Sequence, residues 1–290
     1  MSDRILRYTA QNASIRAFVT DTKQLVQTAF DKHMTSPVMT AALGRTLTAA
    51  AMMGIMQKGE KDLLTIQIEG DGPAGKLTVT ANARGEVKGF ATNPRVDIPL
   101  KPNGKLDVSG AIGKGTLTVT KDLGLKEPYT GTIELVGGEI AEDFTYYFAA
   151  SEQLPSSVGL GVLVDKDYSV KHAGGFIVQL MPFADDADID KLEENLHRIS
   201  SVTTMFDEGF TLEEIAQQLL KGFEYELLDE SVPSFKCNCS KQRVHNALAT
   251  LNKNEIKSMI ADGESINVHC DFCNTDYEFT IEELQDILNE

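Results

Sequence analysis

The sequence lacks the features that carry a protein into or across a membrane. Its first residues, MSDRILRYTAQNASIRAF, contain no apolar core of the kind found in secretory signal peptides. Its longest apolar run, residues 47–56, is too short to span a bilayer. We therefore expect a cytoplasmic protein that does not bind membranes.

Positive charge is scarce. The chain has 27 Lys and Arg against 43 Asp and Glu, and its formal net charge is −16. Proteins that bind nucleic acids or anionic membranes use clustered Lys and Arg. Lys236, Lys241 and Arg243 are too few to offset the acidic residues around them, so we expect no nucleic-acid partner.

Signatures of common enzymes are missing as well. The sequence has no Gly-x-Ser-x-Gly motif and no histidines at ligand spacing. Residues 70–76 match the first seven positions of a phosphate-binding loop, but Leu77 replaces the required Ser or Thr and a strand pattern follows. Glu142 and Asp143 have no nucleophile beside them, so we expect a solvated helix start there. We predict no catalytic and no cofactor-binding residue.

Cysteine is rare, and its four occurrences lie near the C-terminal end: Cys237, Cys239, Cys270 and Cys273. A Cys-x-Cys pair and a Cys-x-x-Cys pair, thirty residues apart, have the pattern of a four-thiolate zinc site. Within each pair the thiols are also close enough in sequence to form a disulfide if the backbone turns suitably. Cysteine clusters in a reducing compartment more often bind metal or act in redox chemistry than form permanent disulfides. The spacing leaves open a structural staple or a redox switch.

Residues 1–183 are predicted to form a large α+β domain. The first thirty residues indicate a strand and the start of a helix, and Ser36 with Pro37 begins a second helix that ends at Gly59. From Leu63 the apolar residues alternate with a period of two, as in strands. Further strands are predicted at 115–120, 130–136, 158–165 and 174–182, with a helix at 138–153.

Residues 184–231 are predicted to form an acidic helical linker. They contain fourteen acidic and three basic residues. One helix follows from the spacing of Ile189, Leu192 and Leu196, and a second from a capping box formed by Thr211 and Glu214. Like-charge repulsion should leave these helices weakly stable unless they dock on a neighbour. The segment is either an ordinary acidic arm or a conditionally folded linker.

Residues 232–290 are predicted to form a small zinc-binding domain. Ser240, Asn252 and Thr280 each precede a predicted short helix, and two strands flank the turn that contains Cys270 and Cys273. This region has too few apolar residues to build a large core. Metal binding should therefore supply much of its folding energy. Four thiolates complete a tetrahedron, and the histidines of this region are therefore left out of the predicted site.

These features resemble the redox-regulated 33 kDa heat-shock chaperones, also called 33 kDa chaperonins. The resemblance covers the whole chain and depends first on the Cys-x-Cys and Cys-x-x-Cys signature. Three further stretches occur in the family's order: GRTLTAAAMMG, IQIEGDGPAGKLTVTANARGEVKGF and GEIAEDFTYYFAASEQLPSSVGLGVLV.

The resemblance implies an ATP-independent holdase rather than an enzyme. In the reduced, inactive state one zinc would be bound by Cys237, Cys239, Cys270 and Cys273. Under oxidative stress the disulfides Cys237–Cys239 and Cys270–Cys273 would form, zinc would leave, and the small domain and the linker would unfold. The active form would be a homodimer that binds unfolding client proteins and later passes them to ATP-dependent chaperones.

Two alternatives assign a purely structural role to the zinc. In one, the α+β domain is an enzyme, which would require a convergent polar pocket. In the other, the zinc knuckle is an interaction module that grips a partner. Oxidant-dependent suppression of protein aggregation would distinguish the holdase from both alternatives.

Overall fold

The computed structural model describes residues 2–182 and 184–289, so the predicted boundary at residue 183 lies outside the described residues. The described residues form thirteen strands and ten helices. The strands are β1 (Arg4–Ala10), β2 (Ile15–Asp21), β3 (Leu63–Gly70), β4 (Lys76–Asn82), β5 (Glu86–Ala91), β6 (Gly115–Asp122), β7 (Tyr129–Glu134), β8 (Ser156–Val164), β9 (Val170–Leu180), β10 (Tyr225–Ser231), β11 (Ser234–Phe235), β12 (Ile266–Cys270) and β13 (Thr275–Phe279). The helices are α1 (Lys23–His33), α2 (Pro37–Ile55), α3 (Val108–Ile112), α4 (Ala141–Ala150), α5 (Asp186–Arg198), α6 (Val202–Asp207), α7 (Leu212–Leu219), α8 (Lys241–Leu248), α9 (Lys253–Ala261) and α10 (Ile281–Asn289).

The chain divides into two compact units, Met1–Lys236 and Cys237–Glu290. Both units contain helices and antiparallel strands, which confirms the α+β class. The acidic residues 184–231 are part of the first unit. The role of these residues as a separate, conditionally folded linker therefore stays a prediction.

Two sheets form the framework of the first unit. Sheet A has the order β10-β1-β2-β9-β8, and its neighbouring strands are all antiparallel. Sheet B has the order β11-β5-β4-β3-β6-β7, and only the short pairing of β11 with β5 is parallel. Strands β10 and β8 are therefore the two edges of sheet A.

Helix α2 lies between the two sheets. It contacts β8 and β9 of sheet A and β3, β4 and β5 of sheet B. By length and composition it is the one helix of the described chain able to cross a membrane, but 94% of its most apolar stretch is buried inside the protein. Its alanine and methionine side chains belong to the main core, as the sequence predicts.

The first thirty residues differ from the prediction. They form a hairpin of two strands, β1 and β2, before α1 begins at Lys23. The hairpin turn places Gln11, Asn12 and Ala13 at φ angles of 50°, 52° and 66°. Turns with such left-handed backbone usually contain glycine. Because this turn has none, the sequence does not indicate it.

The acidic helices α5, α6 and α7 pack on the face of sheet A that points away from α2. Buried polar side chains join these helices to one another and to the turn between β1 and β2. Asn195 Nδ2 donates to the carbonyl oxygens of Leu219 (3.1 Å) and Lys221 (2.9 Å), and Ser14 Oγ lies 3.5 Å from Asp188 Oδ2. The helices contribute these buried apolar residues: Leu192, Val202, Met205, Leu212, Ile215, Ala216 and Leu219. The neighbour on which these helices dock is therefore sheet A.

The predicted acidic helical linker, residues 184–231, ends in a strand rather than in a helix. Tyr225–Ser231 forms strand β10, which pairs antiparallel with β1. The register passes from Tyr8 opposite Leu227 to Arg7 opposite Asp229, so Leu228 is an extra, bulged residue. The bulge breaks the period of two and removes the pattern by which strands are recognised.

The prediction of a solvated carboxylate is wrong for Asp143. Its side chain is fully buried at the start of α4. The carboxylate accepts backbone N–H groups from Val136 (2.8 Å), Gly137 (3.0 Å), Gly138 (3.2 Å) and Ile140 (2.8 Å). Asp143 thus organises the loop between β7 and α4, where the β-branched Ile140 has a φ of 75°.

Replacing Asp143 with alanine is expected to lower the free energy of unfolding of the reduced protein by at least about 3 kcal/mol, since several backbone N–H groups lose their acceptor. Urea unfolding followed by circular dichroism measures this change. Glu142→Ala is the control, because Glu142 is the exposed neighbour, and it should change stability by less than about 0.5 kcal/mol. Equal effects of the two substitutions would contradict this role of Asp143.

Candidate metal centre

The first cysteine pair lies in the extended segment that precedes α8. Cys237 is the first residue of the second unit, and Cys239 directly precedes the helix cap Ser240. The Ser240 Oγ accepts the backbone N–H of Arg243 at 3.2 Å, which confirms the predicted helix start. This cap ends the extended segment just after Cys239.

The second cysteine pair lies in the turn between β12 and β13. The carbonyl oxygen of Cys270 accepts the N–H groups of Cys273 (3.3 Å) and Asn274 (2.8 Å). Asn274 has a φ of 53°, a left-handed conformation that asparagine tolerates well. The turn brings both sulfur atoms of this pair to the same side and confirms the predicted knuckle.

The four sulfur atoms form one cluster. All lie within 4.8 Å of one another, with 3.8 Å between Cys237 and Cys270 and 3.0 Å between Cys239 and Cys273. In a tetrahedral site, sulfur atoms about 2.3 Å from zinc lie about 3.8 Å apart. All four cysteines are free thiols, and Cys273 is the buried one. The cluster can hold a metal ion, and four thiols are a donor set that suits zinc.

The sulfur contacts of 3.8 Å and 3.0 Å each join one cysteine of the first pair to one of the second. This arrangement is the one expected when two separate chain segments share a metal ion. A disulfide needs a sulfur separation of about 2.05 Å, so none of these contacts is one. The predicted disulfides Cys237–Cys239 and Cys270–Cys273 stay predictions.

Tyr277 is a contact of the cluster that the sequence analysis did not predict. Its Oη lies 3.0 Å from the Sγ of Cys239. Burial raises the pKa of the Cys239 thiol, but hydrogen bonds with Tyr277 and the other cysteines outweigh burial and lower this pKa to about 7. Burial raises the pKa of Cys273 to about 12 and also raises that of Cys237. In the metal-free cluster Cys239 therefore ionises more readily than these two thiols, and the thiolate is the form that binds metal and reacts with oxidants.

The apolar core of the second unit is small. Thr280 and Glu283 form the reciprocal hydrogen bonds of a capping box at the start of α10, as predicted. Within the described part of this unit, the core cluster contains five buried apolar residues: Leu248, Ile256, Phe279, Leu284 and Ile287. A core of this size contributes little stability on its own.

The α+β units and the four-thiol cluster define a protein with a metal-capable cysteine centre, and comparisons with known proteins identify its family. The family model described as "Hsp33 protein" matches residues 3–280. The 33 kDa chaperonin of Agathobacter rectalis is 58% identical over 287 residues, which cover 99% of this chain and 100% of that protein. The 33 kDa chaperonin of Clostridioides difficile is 50% identical over 291 residues, and the alignment covers 100% of this chain and 100% of that protein.

A solved structure is similar over the whole chain. It is the crystal structure of the 33 kDa chaperonin (heat shock protein 33 homolog) of Thermotoga maritima, which matches with a TM-score of 0.90 and 37% identity. The match covers 100% of this chain and 98% of that one. The chain therefore belongs to the Hsp33 family. The names of the family and of these relatives support a chaperone function, which implies that the protein binds client proteins.

Proposed function

We propose that this protein is a redox-regulated, ATP-independent holdase that is inactive when reduced and zinc-bound. The observation that carries the proposal is the cluster of four free thiols in a unit with a small apolar core. A unit of this kind depends on its metal for folding, and oxidation of the ligands removes that support. The cysteine centre would therefore act as a switch rather than as a permanent staple.

In the reduced state, Cys237, Cys239, Cys270 and Cys273 would bind one Zn²⁺ per chain. Zinc, when bound, stabilises the thiolate form of its ligands and joins the two chain segments that carry them. The turn at Cys270 and the extended segment at Cys237 position the four sulfur atoms. The low pKa of Cys239 favours its thiolate.

Oxidation would join Cys237 to Cys239 and Cys270 to Cys273. As each S–S bond forms, two thiolates give two electrons to the oxidant; with hydrogen peroxide, the O–O bond breaks and the peroxide leaves as two hydroxide ions. A sulfur atom in a disulfide is no longer a thiolate ligand. The second unit then keeps only its small apolar core and unfolds.

The acidic residues 184–231 would act as the conditionally folded linker. They are followed by β11, which has two residues and ends directly before Lys236 and Cys237. Such a short strand is a weak anchor, so disorder of the second unit can extend into the acidic segment. Release of this segment from sheet A would expose Leu219 and Phe223, which are buried when docked. Its strong negative charge would help to keep client complexes soluble.

The remaining parts of the proposal depend on the family resemblance and on the charge. The active form would be a homodimer that hands clients to ATP-dependent chaperones when reducing conditions return. The net charge of −16 supports the absence of nucleic-acid and membrane partners. The protein would act in the cytoplasm, where the thiols are normally reduced.

One experiment tests this function. The reduced, zinc-loaded protein is treated with hypochlorous acid, or with peroxide at raised temperature, and added without ATP to a protein that aggregates on unfolding. We expect suppression of aggregation by the oxidised protein only, with disulfides 237–239 and 270–273 identified by peptide mass spectrometry. Zinc loss without any effect on aggregation would assign the site a purely structural role.

Replacing Cys239 with serine is expected to abolish stoichiometric zinc binding, because a serine hydroxyl does not replace a thiolate ligand. The variant should also lose oxidant-dependent activation. Its chaperone activity should be the same in both redox states, either absent in both or present in both. His269→Ala is the matched control. His269 is next to Cys270 in the sequence but is not a predicted ligand, and its ring hydrogen-bonds Asp276 at 2.8 Å. This variant should keep one zinc per chain. Full oxidant-dependent activation of the serine variant would contradict the role assigned to these thiols.

A further inference from the structure

A groove of about 860 Å³ runs along one edge of sheet A in the first unit. Its volume is in the range of ligand-binding pockets. Residues 160–165 of β8 and the following turn form one wall. The loop of residues 100–106 and helix α6 border the groove on its other sides, and Arg45 also contributes to its lining.

The wall formed by β8 carries backbone groups that sheet A leaves unpaired. Val158 donates its backbone N–H to Thr145 Oγ1 at 3.1 Å, so its polar groups point away from β9. In an antiparallel strand every second residue points the same way, so the N–H and C=O groups of Leu160, Val162 and Val164 also point outward. Within residues 2–182 and 184–289, these three N–H groups make no hydrogen bond outside the strand pair. Edge groups of this kind are a template for another strand.

The two faces of β8 differ in what a further strand would contact. Val162 packs into the core between the sheets. On the opposite face, a Cβ atom on Gly161 would lie 2.7 Å from the side chain of Thr203 in α6. Side chains of an added strand would therefore point alternately toward the side of α2, with Arg45, and toward the face that α6 covers while the acidic segment is docked.

We propose that this groove binds an extended segment of an unfolded protein, which adds to sheet A as a strand beside β8. The proposal rests on the holdase function and locates a client site for it. Outward groups of Leu160 and Val162 would exchange backbone hydrogen bonds with the client segment. Strand addition of this kind derives its affinity from main-chain hydrogen bonds.

Two features favour an unfolded chain as the occupant. Backbone groups are the same in every sequence, so the edge selects extended conformation rather than a particular motif. The groove carries both signs of charge even without α6, with Lys101 and Lys105 in the loop and Glu142 and Asp165 elsewhere in its lining, so it does not select a client by net charge.

Helix α6 gives the groove a link to the redox switch. It belongs to the acidic segment and contacts β8 and β9. If oxidation releases the acidic segment, α6 leaves the groove and the β8 edge becomes more accessible. Client binding at this edge should therefore increase on oxidation.

Hydrogen exchange tests the site directly. The oxidised full-length protein is mixed with reduced, carboxymethylated α-lactalbumin, a permanently unfolded probe, and exchange is followed by mass spectrometry. We expect at least about tenfold slower exchange for the amides of residues 160–164 when the probe is bound. Protection at other surfaces with no change in residues 160–164 would overturn the proposal. Protection of residues 160–164 by a second copy of the chain, without any probe, would also overturn it.

A pair of substitutions isolates the backbone contribution. Leu160→Pro removes the outward N–H that makes no bond within sheet A, whereas Leu160→Ala removes the side chain and keeps that N–H. We expect about tenfold weaker probe binding for the proline variant than for the alanine variant. Disulfide formation and zinc release should be the same in both. Equal probe affinities of the proline and alanine variants would overturn the β8 site but not the holdase function. Failure of the wild type to bind the probe or to suppress aggregation would overturn the function itself.

Discussion

Removing the metal from the reduced protein with a chelator is expected to unfold the second unit, Cys237–Glu290, while the first unit stays folded. The core cluster described for this unit contains only five buried apolar residues. Structural zinc in small thiolate domains contributes an apparent 10–16 kcal/mol, roughly, to folding at neutral pH. The first unit has its own core between sheets A and B and does not need the metal.

Hydrogen exchange of the reduced protein with and without chelator measures this effect. Amides in β12, β13 and α10 should lose protection by at least about a hundredfold, since loss of about 3 kcal/mol or more already has this effect. Amides of β3 and β4 in sheet B should not change, and added zinc should restore the protection. A second unit that remains protected without metal would contradict the dependence of its fold on the cysteine centre.

Replacing Leu219 with alanine is expected to make the reduced, zinc-bound protein bind clients without oxidation. Leu219 is fully buried where α7 packs on sheet A. A substitution of this kind costs about 2–5 kcal/mol. In the proposed switch the acidic helices depend on docking for their stability, so this loss should release a substantial fraction of the acidic segment from sheet A.

The control for this prediction lies in the same helix. Gln218 is exposed, and Gln218→Ala should leave the reduced protein inactive. Suppression of aggregation by the reduced variants is compared at equal zinc content, with limited proteolysis of residues 184–231 as a measure of docking. A Leu219 variant whose acidic segment is released but whose reduced form stays inactive would contradict the proposed role of this segment.

The sequence predicts the clustering of the four cysteines better than the rest of the fold. The spacing of Cys237, Cys239, Cys270 and Cys273 requires two chain segments to meet, and the structure brings their sulfur atoms within 4.8 Å of one another. Helix starts are also well predicted, because the caps at Ser240 and at Thr211 involve residues only three positions away.

Features that depend on distant parts of the chain are not visible in the sequence. Strand β10 is bulged at Leu228 and pairs with β1, more than two hundred residues away. Asp143 reads as an exposed carboxylate because its partners are backbone N–H groups of a preceding loop. Tyr277 reaches Cys239 only after β12 and β13 pair, although its position in a strand beside the knuckle could have indicated the contact.

In the proposed switch, oxidation of the four thiols turns on client binding. The most direct test follows zinc release and aggregation suppression in the same oxidised sample over time. We predict that the two signals rise together, without ATP, and that a thiol reductant with added zinc reverses both in the absence of clients. Complete zinc release with no suppression of aggregation, or full suppression before any zinc is released, would contradict the proposed switch.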